Sequence, residues 1–177
     1  SGDIGIWTLA GNLKIVDRKK NIFKLSQGEY VAAEKIENIL TQSPLLAQAF
    51  VYGDSYQSHL VAILVADDEG CAARFGFGPG DQAGAAGPAP TLAALCDEAN
   101  AGTDGGRGGA LGAAVHEEIA RLSSAAKLAG YETVRAVHVE SRLFSVDDDL
   151  LTPTFKLKRH AVQAKFQPQI DALYTHD

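Results

Sequence analysis

The stretch 45–66, LLAQAFVYGDSYQSHLVAILVA, decides the fold. Two β-rich runs, 45–53 and 58–66, are separated by the polar DSYQ at 54–57. Such a short break makes them antiparallel neighbours. The apolar run 60–66 falls far short of the roughly 20 residues of a membrane span and suits a buried strand. Before this pair, Ile36, Ile39 and Leu40 recur at helical spacing from Ala33, and the helix must stop before Pro44. Two hairpins precede it. One is IWTLAGNLKIV (6–16), turning at Ala10, Gly11 and Asn12; the other is IFKL (22–25), turning at 26–28 into EYVA (29–32). DRKKN (17–21) reads as a charged connector between them.

Beyond residue 66 the composition changes. Residues 70–112 hold 12 of the 18 glycines and three of the six prolines. So little apolar surface predicts a mobile stretch, with TLAALCDEAN (91–100) as a short helix inside it. Leu111, Val115, Ile119 and Leu122 mark an amphipathic helix over 110–129, closed by Gly130. TVRAVHVE (133–140) alternates as a third strand. Val162, Phe166, Ile170 and Leu173 mark a terminal helix, bent near Pro168. The expected class is α+β: a short antiparallel or mixed three-stranded sheet with flanking helices behind a β-hairpin lead-in.

Composition narrows the function. The chain has 177 residues, 46% hydrophobic and 21% charged, as expected of one soluble globular domain. Its net charge of -6 argues against a general nucleic-acid binder. Cys71 and Cys96 lack C-x-x-C spacing, so neither a disulfide framework nor a zinc site is expected, and a reducing compartment is the default. The five histidines show no metal spacing, and no phosphate-cradling glycine loop or Ser/His/Asp triad is readable.

Three charged spots remain. Asp3 in SGDIG could accept hydrogen bonds from a sugar diol or be an ordinary turn aspartate. DRKKN could be a solvated turn. LTPTFKLKRH (151–160) packs Lys156, Lys158 and Arg159 after Pro153; they could form the solvated face of a helix that the proline introduces, or present Lys156 on a loop as a reaching charge.

Taken together and in order, SGDIGIW (1–7), LKIVDRKKNIFKLSQGEYVAAEKIEN (13–38) and LLTPTFKLKR (150–159) resemble the C-terminal end of a long-chain fatty acyl-CoA synthetase. That family lies in the adenylate-forming superfamily with luciferases and adenylation domains. The resemblance implies an AMP-forming fatty acid ligase that uses ATP, Mg²⁺ and CoA. It matches Asp3 to the aspartate on the ATP ribose, Asp17 to the interdomain hinge, and Arg18 to a nucleotide-contacting arginine. Lys24, Gln27 and Gly28 fall in the turn lining the pantetheine passage. Lys156 matches the lysine that bridges the substrate carboxylate and α-phosphate, and Arg159 an arginine three residues on. Residues 1–16 would end the large N-terminal domain, absent here, and 17–177 would form the mobile C-terminal domain, with a flexible insertion at about 68–110. The chain is therefore expected to be a soluble fragment, inactive alone, from a parent associated with the cytosol-facing side of a membrane. Ala33 stands where relatives usually carry Pro, and Phe155 where the wider superfamily prefers Gly. Another acyl- or aryl-activating enzyme, or a non-catalytic module keeping the fold, are the competing expectations.

Overall fold

A computed structural model describes residues 3–18, 22–76, 91–102 and 104–175, with 3, 4, 6 and 14–18 described by their backbone. Residues 19–21 of the charged connector, 77–90 of the glycine-rich stretch, and His176 lie outside the described residues.

The centre is a three-stranded mixed sheet of order β5-β6-β7. Strand β5 (Leu46–Tyr52) runs antiparallel to β6 (Leu60–Ala66), and β7 (Val134–Glu140) runs parallel to β6 on its other edge. Every residue of β6 is buried, because both faces of the sheet are covered, which a strand of unbroken apolar residues requires. Along β6, Leu60, Ala62, Leu64 and Ala66 join one apolar cluster and Val61, Ile63 and Val65 the other. This is the period-2 alternation of a strand between two layers. A bulge in β7, where Leu60 faces Val134 but Val61 faces Ala136, skips Arg135 and leaves it exposed.

One face packs against α1 (Ala33–Leu40), α3 (Leu92–Asn100) and α4 (Gly109–Ala125), with Leu25 and Val31 from the hairpin β3 (Ile22–Lys24) and β4 (Tyr30–Ala32) in the same cluster. Ile36 and Leu40 of α1 are fully buried there, each contributing about 2 kcal/mol by leaving water. The other face packs against α5 (Arg159–Tyr174) and the loop residues Phe144, Leu150 and Leu151. The expected α+β class is therefore correct. Helix α5 bends as expected: Phe166 leaves helical geometry at φ -103, two residues before Pro168. No helix among the described residues is long and apolar enough to cross a membrane.

Three local expectations need correction. Asp17 and Arg18 are not connector: β1 (Asp3–Trp7) and β2 (Leu13–Arg18) pair through them, with Asp17 opposite Ile4 and Arg18 opposite Asp3. The expected mobile stretch contains α2 (Asp68–Phe75) as well as α3, and both are anchored, with Cys71 and Ala99 fully buried. Several of its described glycines serve close packing. Gly106 takes φ +82 so near β7 that a Cβ would lie 2.1 Å from the Val137 carbonyl oxygen; only glycine fits. Helix α4 ends at Ala125 rather than at Gly130, because Lys127 takes the left-handed conformation (φ 52). Of the two readings of 151–160, the loop holds: α5 begins at Arg159, well after Pro153, so Lys156 sits on a loop and not on a helix.

Candidate active site

The sequence-assigned residues fall into three places. Asp3 and Arg18 are directly opposite in the β1–β2 ladder, at the end away from the turn. A bulge between Ile4 and Gly5 interrupts the register beside them. Asp17 is a strand residue.

Lys24, Gln27 and Gly28 share the turn between β3 and β4. The turn is closed by Leu25 N donating to Glu29 O at 2.9 Å and Gly28 N donating to Leu25 O at 2.9 Å. It is also docked on the β5–β6 loop: Ser26 N donates to Gln57 O at 3.0 Å, and Gln27 Nε2 to Ser58 O at 3.0 Å. The Lys24 ammonium lies 5.7 Å from the centroid of the exposed Tyr30 ring, a weak cation–π contact at a wet site. Gly28 has φ +92, and a Cβ there would meet only Lys24 Cε, at 3.9 Å. Its demand is conformational, not steric. Gly28→Ala should thus cost the fold about 1 kcal/mol through the left-handed backbone, read as a shift in urea midpoint. Bulk at this position acts outward, on whatever approaches the turn.

Lys156 is held in a tight loop. Leu151 and Leu157 form an isolated antiparallel bridge. Between them Thr152 N donates to Lys156 O at 2.8 Å, Phe155 N to Thr152 O at 2.8 Å, and Lys156 N to Thr152 Oγ1 at 3.1 Å. Lys156 itself is exposed, and among the described residues its ammonium makes no ion pair or hydrogen bond.

Its two cationic neighbours are engaged. Lys158 pairs with Asp149. Arg159, at the start of α5, donates through Nη1 to Glu37 Oε1 at 2.7 Å and through Nη2 to the Val51 carbonyl, and lies 4.8 Å from the Phe50 ring centroid. Glu37 is buried and also accepts from Val51 N at 2.8 Å. Burial raises its carboxyl above the ordinary glutamate range, against the pull of Arg159. Arg159 is thus a clamp between α5, α1 and β5. Glu37 was missed from sequence; an acidic residue beside Ile36 carries no local sign that its partner lies 122 positions away.

The turn 24–28 and the loop 151–157 stand on opposite sides of the sheet. Leu25 and Val31 anchor the first in the α1/α3/α4 layer; Leu150, Leu151 and Leu157 anchor the second in the α5 layer. No hydrogen bond or ion pair among the described residues joins the 24–28 turn to the 151–157 loop. The thiols are no candidates. Burial pushes Cys71 up to about 11 and Cys96 up to about 12, so neither is a thiolate nucleophile near neutral pH.

No family model matches the chain. Individual proteins do. It is 43% identical over 175 residues to human "Long-chain-fatty-acid--CoA ligase 6" and 39% identical over 181 residues to "Long chain acyl-CoA synthetase 2" of Arabidopsis thaliana, each match taking in 99% of this chain. The chain spans 22% and 24% of those relatives' lengths. Among solved structures, the adenylation domain of a carboxylate reductase from Mycobacterium chelonae superposes with a TM-score of 0.76 at 30% identity, covering 99% of this chain and 23% of that one. The corresponding domain from Segniliparus rugosus, in complex with AMP and a co-purified carboxylic acid, gives 0.75 at 28%, covering 99% and 23%. The sheet and its two helical layers are thus those of the adenylate-forming superfamily. Within that superfamily, the sequence relatives that match 99% of this chain are long-chain fatty acyl-CoA ligases.

Proposed function

We propose that this chain is the C-terminal part of a ligase that joins a long-chain fatty acid to ATP, giving acyl-AMP and pyrophosphate, and then transfers the acyl group to CoA, releasing AMP. Residues 17–177 form its mobile domain and 1–16 the end of the larger N-terminal domain, its partner within the same protein. The observation that carries the reading is the placement of the unpaired Lys156 ammonium and the 24–28 turn on opposite sides of one sheet.

Adenylation crowds negative charge between a carboxylate and the α-phosphate, and a cation free of internal partners is available to offset it. Asp3 accepts from the ribose hydroxyls, and Arg18 supports the nucleotide. Thioester formation requires the lysine to withdraw and a path for the pantetheine arm to open. A rotation of the domain about Asp17 exchanges the two faces, bringing Lys24, Gln27 and Gly28 to the passage. Because Asp17 lies in β2, that swivel parts Arg18 from Asp3 at the end of the ladder. Mg²⁺ accompanies the phosphates of ATP, and we assign none of the described residues to it.

The 177-residue chain incubated with ATP, Mg²⁺, palmitate and CoA should yield no palmitoyl-CoA above background, whereas a longer protein containing it should yield palmitoyl-CoA, AMP and pyrophosphate. Robust turnover by the isolated chain, or none by the longer protein, overturns the reading. Aryl or short-chain acids in place of palmitate test the competing acid classes.

A further inference from the structure

Phe155, immediately before Lys156, is 78% exposed and has φ 57. Glycine takes that conformation freely; a residue with a Cβ takes it only when its surroundings impose it. Here the surroundings are the Leu151–Leu157 bridge, the bonds between Thr152 and residues 155 and 156, and the 3.0 Å contact between the Thr152 and Thr154 hydroxyls. This loop needs a left-handed residue at 155 but makes no use of a benzyl group. Among the described residues the ring pairs with no other ring and no cation. A strained, solvent-facing aromatic adds nothing to the fold, so its use lies in a bound state. The backbone ties its ring to the Lys156 amine, and whatever surface receives one receives the other.

Resting on the function proposed above, we propose that Phe155 shields the acyl-adenylate from water. When the Lys156 ammonium reaches the carboxylate and α-phosphate, the ring covers the first carbons of the acyl chain and closes the water path to the acyl carbon. The side reaction it suppresses is hydrolysis. Water oxygen bonds to the acyl carbon, the bond from that carbon to the phosphate oxygen breaks with its electron pair leaving on AMP, and a proton is released from the new fatty acid.

The test uses the longer ligase with palmitate, ATP and Mg²⁺ but no CoA, measuring the steady-state rate of AMP release per enzyme. Phe155→Gly should raise this leak about tenfold, the scale of one lost aromatic contact, while palmitate-dependent ATP–pyrophosphate exchange stays within a few-fold. Phe155→Leu, keeping an apolar side chain, should leak close to the wild-type rate. The melting temperature of Phe155→Gly should be unchanged or raised, because the left-handed position is relieved. An unchanged leak, an equal leak in both variants, or a Phe155→Gly protein that melts lower and loses exchange would overturn the shielding role. A wild-type enzyme without palmitate-dependent exchange would instead remove the proposed function, and this inference with it.

Discussion

In the longer ligase, Lys156→Ala is expected to slow acyl-adenylate formation by about two to three orders of magnitude, the scale of losing one placed charge at a reacting phosphate. An ammonium ~4 Å from such charge is worth about 4 kcal/mol at an effective dielectric of 20, or roughly a thousandfold in rate. The structure separates this loss from unfolding. Lys156 is exposed and its ammonium has no internal partner, so truncation removes no contact the fold uses. CoA attack on supplied acyl-adenylate should change far less, because that step calls on the opposite side of the domain, where the 24–28 turn is anchored. The comparison is pyrophosphate release against acyl-CoA formed from acyl-adenylate. Equal slowing of both steps would make Lys156 a general anchor for the nucleotide and would remove the case for alternating faces.

Arg159, three residues away, should behave in the opposite manner. Arg159→Ala strips a buried carboxylate of its cation and should destabilise the chain by about 3 kcal/mol, measured by urea unfolding. The pH dependence follows from Glu37. Burial already raises its folded pKa, and loss of Arg159 raises it further. Above the ordinary glutamate value the folded state then holds a proton that the unfolded state has released, so stability falls as pH rises through that window. The deficit of Arg159→Ala relative to wild type should be smaller at pH 5 than at pH 7.5. A pH-independent deficit would mean that the packing of Arg159 on Phe50, not its charge, is what the fold uses. Glu37→Leu combined with Arg159→Met should recover most of the loss, as paired apolar replacements of buried ion pairs do.

These two cations lie in one stretch, and residue type alone does not separate them. The local pattern was sufficient for what is local. The run 60–66, the alternation at 133–140 and the spacing of Leu111, Val115, Ile119 and Leu122 each name an element, because burial of one face or two imposes a period on the chain itself. The motif order 1–7, 13–38 and 150–159 was likewise enough to point to the family. Glycine content, by contrast, misled at 104–112. There it marks close approach, as at Gly106 against Val137, and close approach has the same composition as disorder.

What the sequence by itself determined was most of the elements, a three-stranded sheet and which residues bear charge near the site. Only the tertiary structure decided which charges are free. Arg159 is neutralised by a glutamate 122 positions away, Lys158 by an aspartate across its own loop, and Lys156 by nothing described in the chain. It likewise decided that Asp17 and Arg18 continue a strand and that Phe155 is held left-handed. Each depends on partners brought together by pairing register and layer packing. Those energies are summed over the whole fold and leave no periodic mark at the positions they constrain.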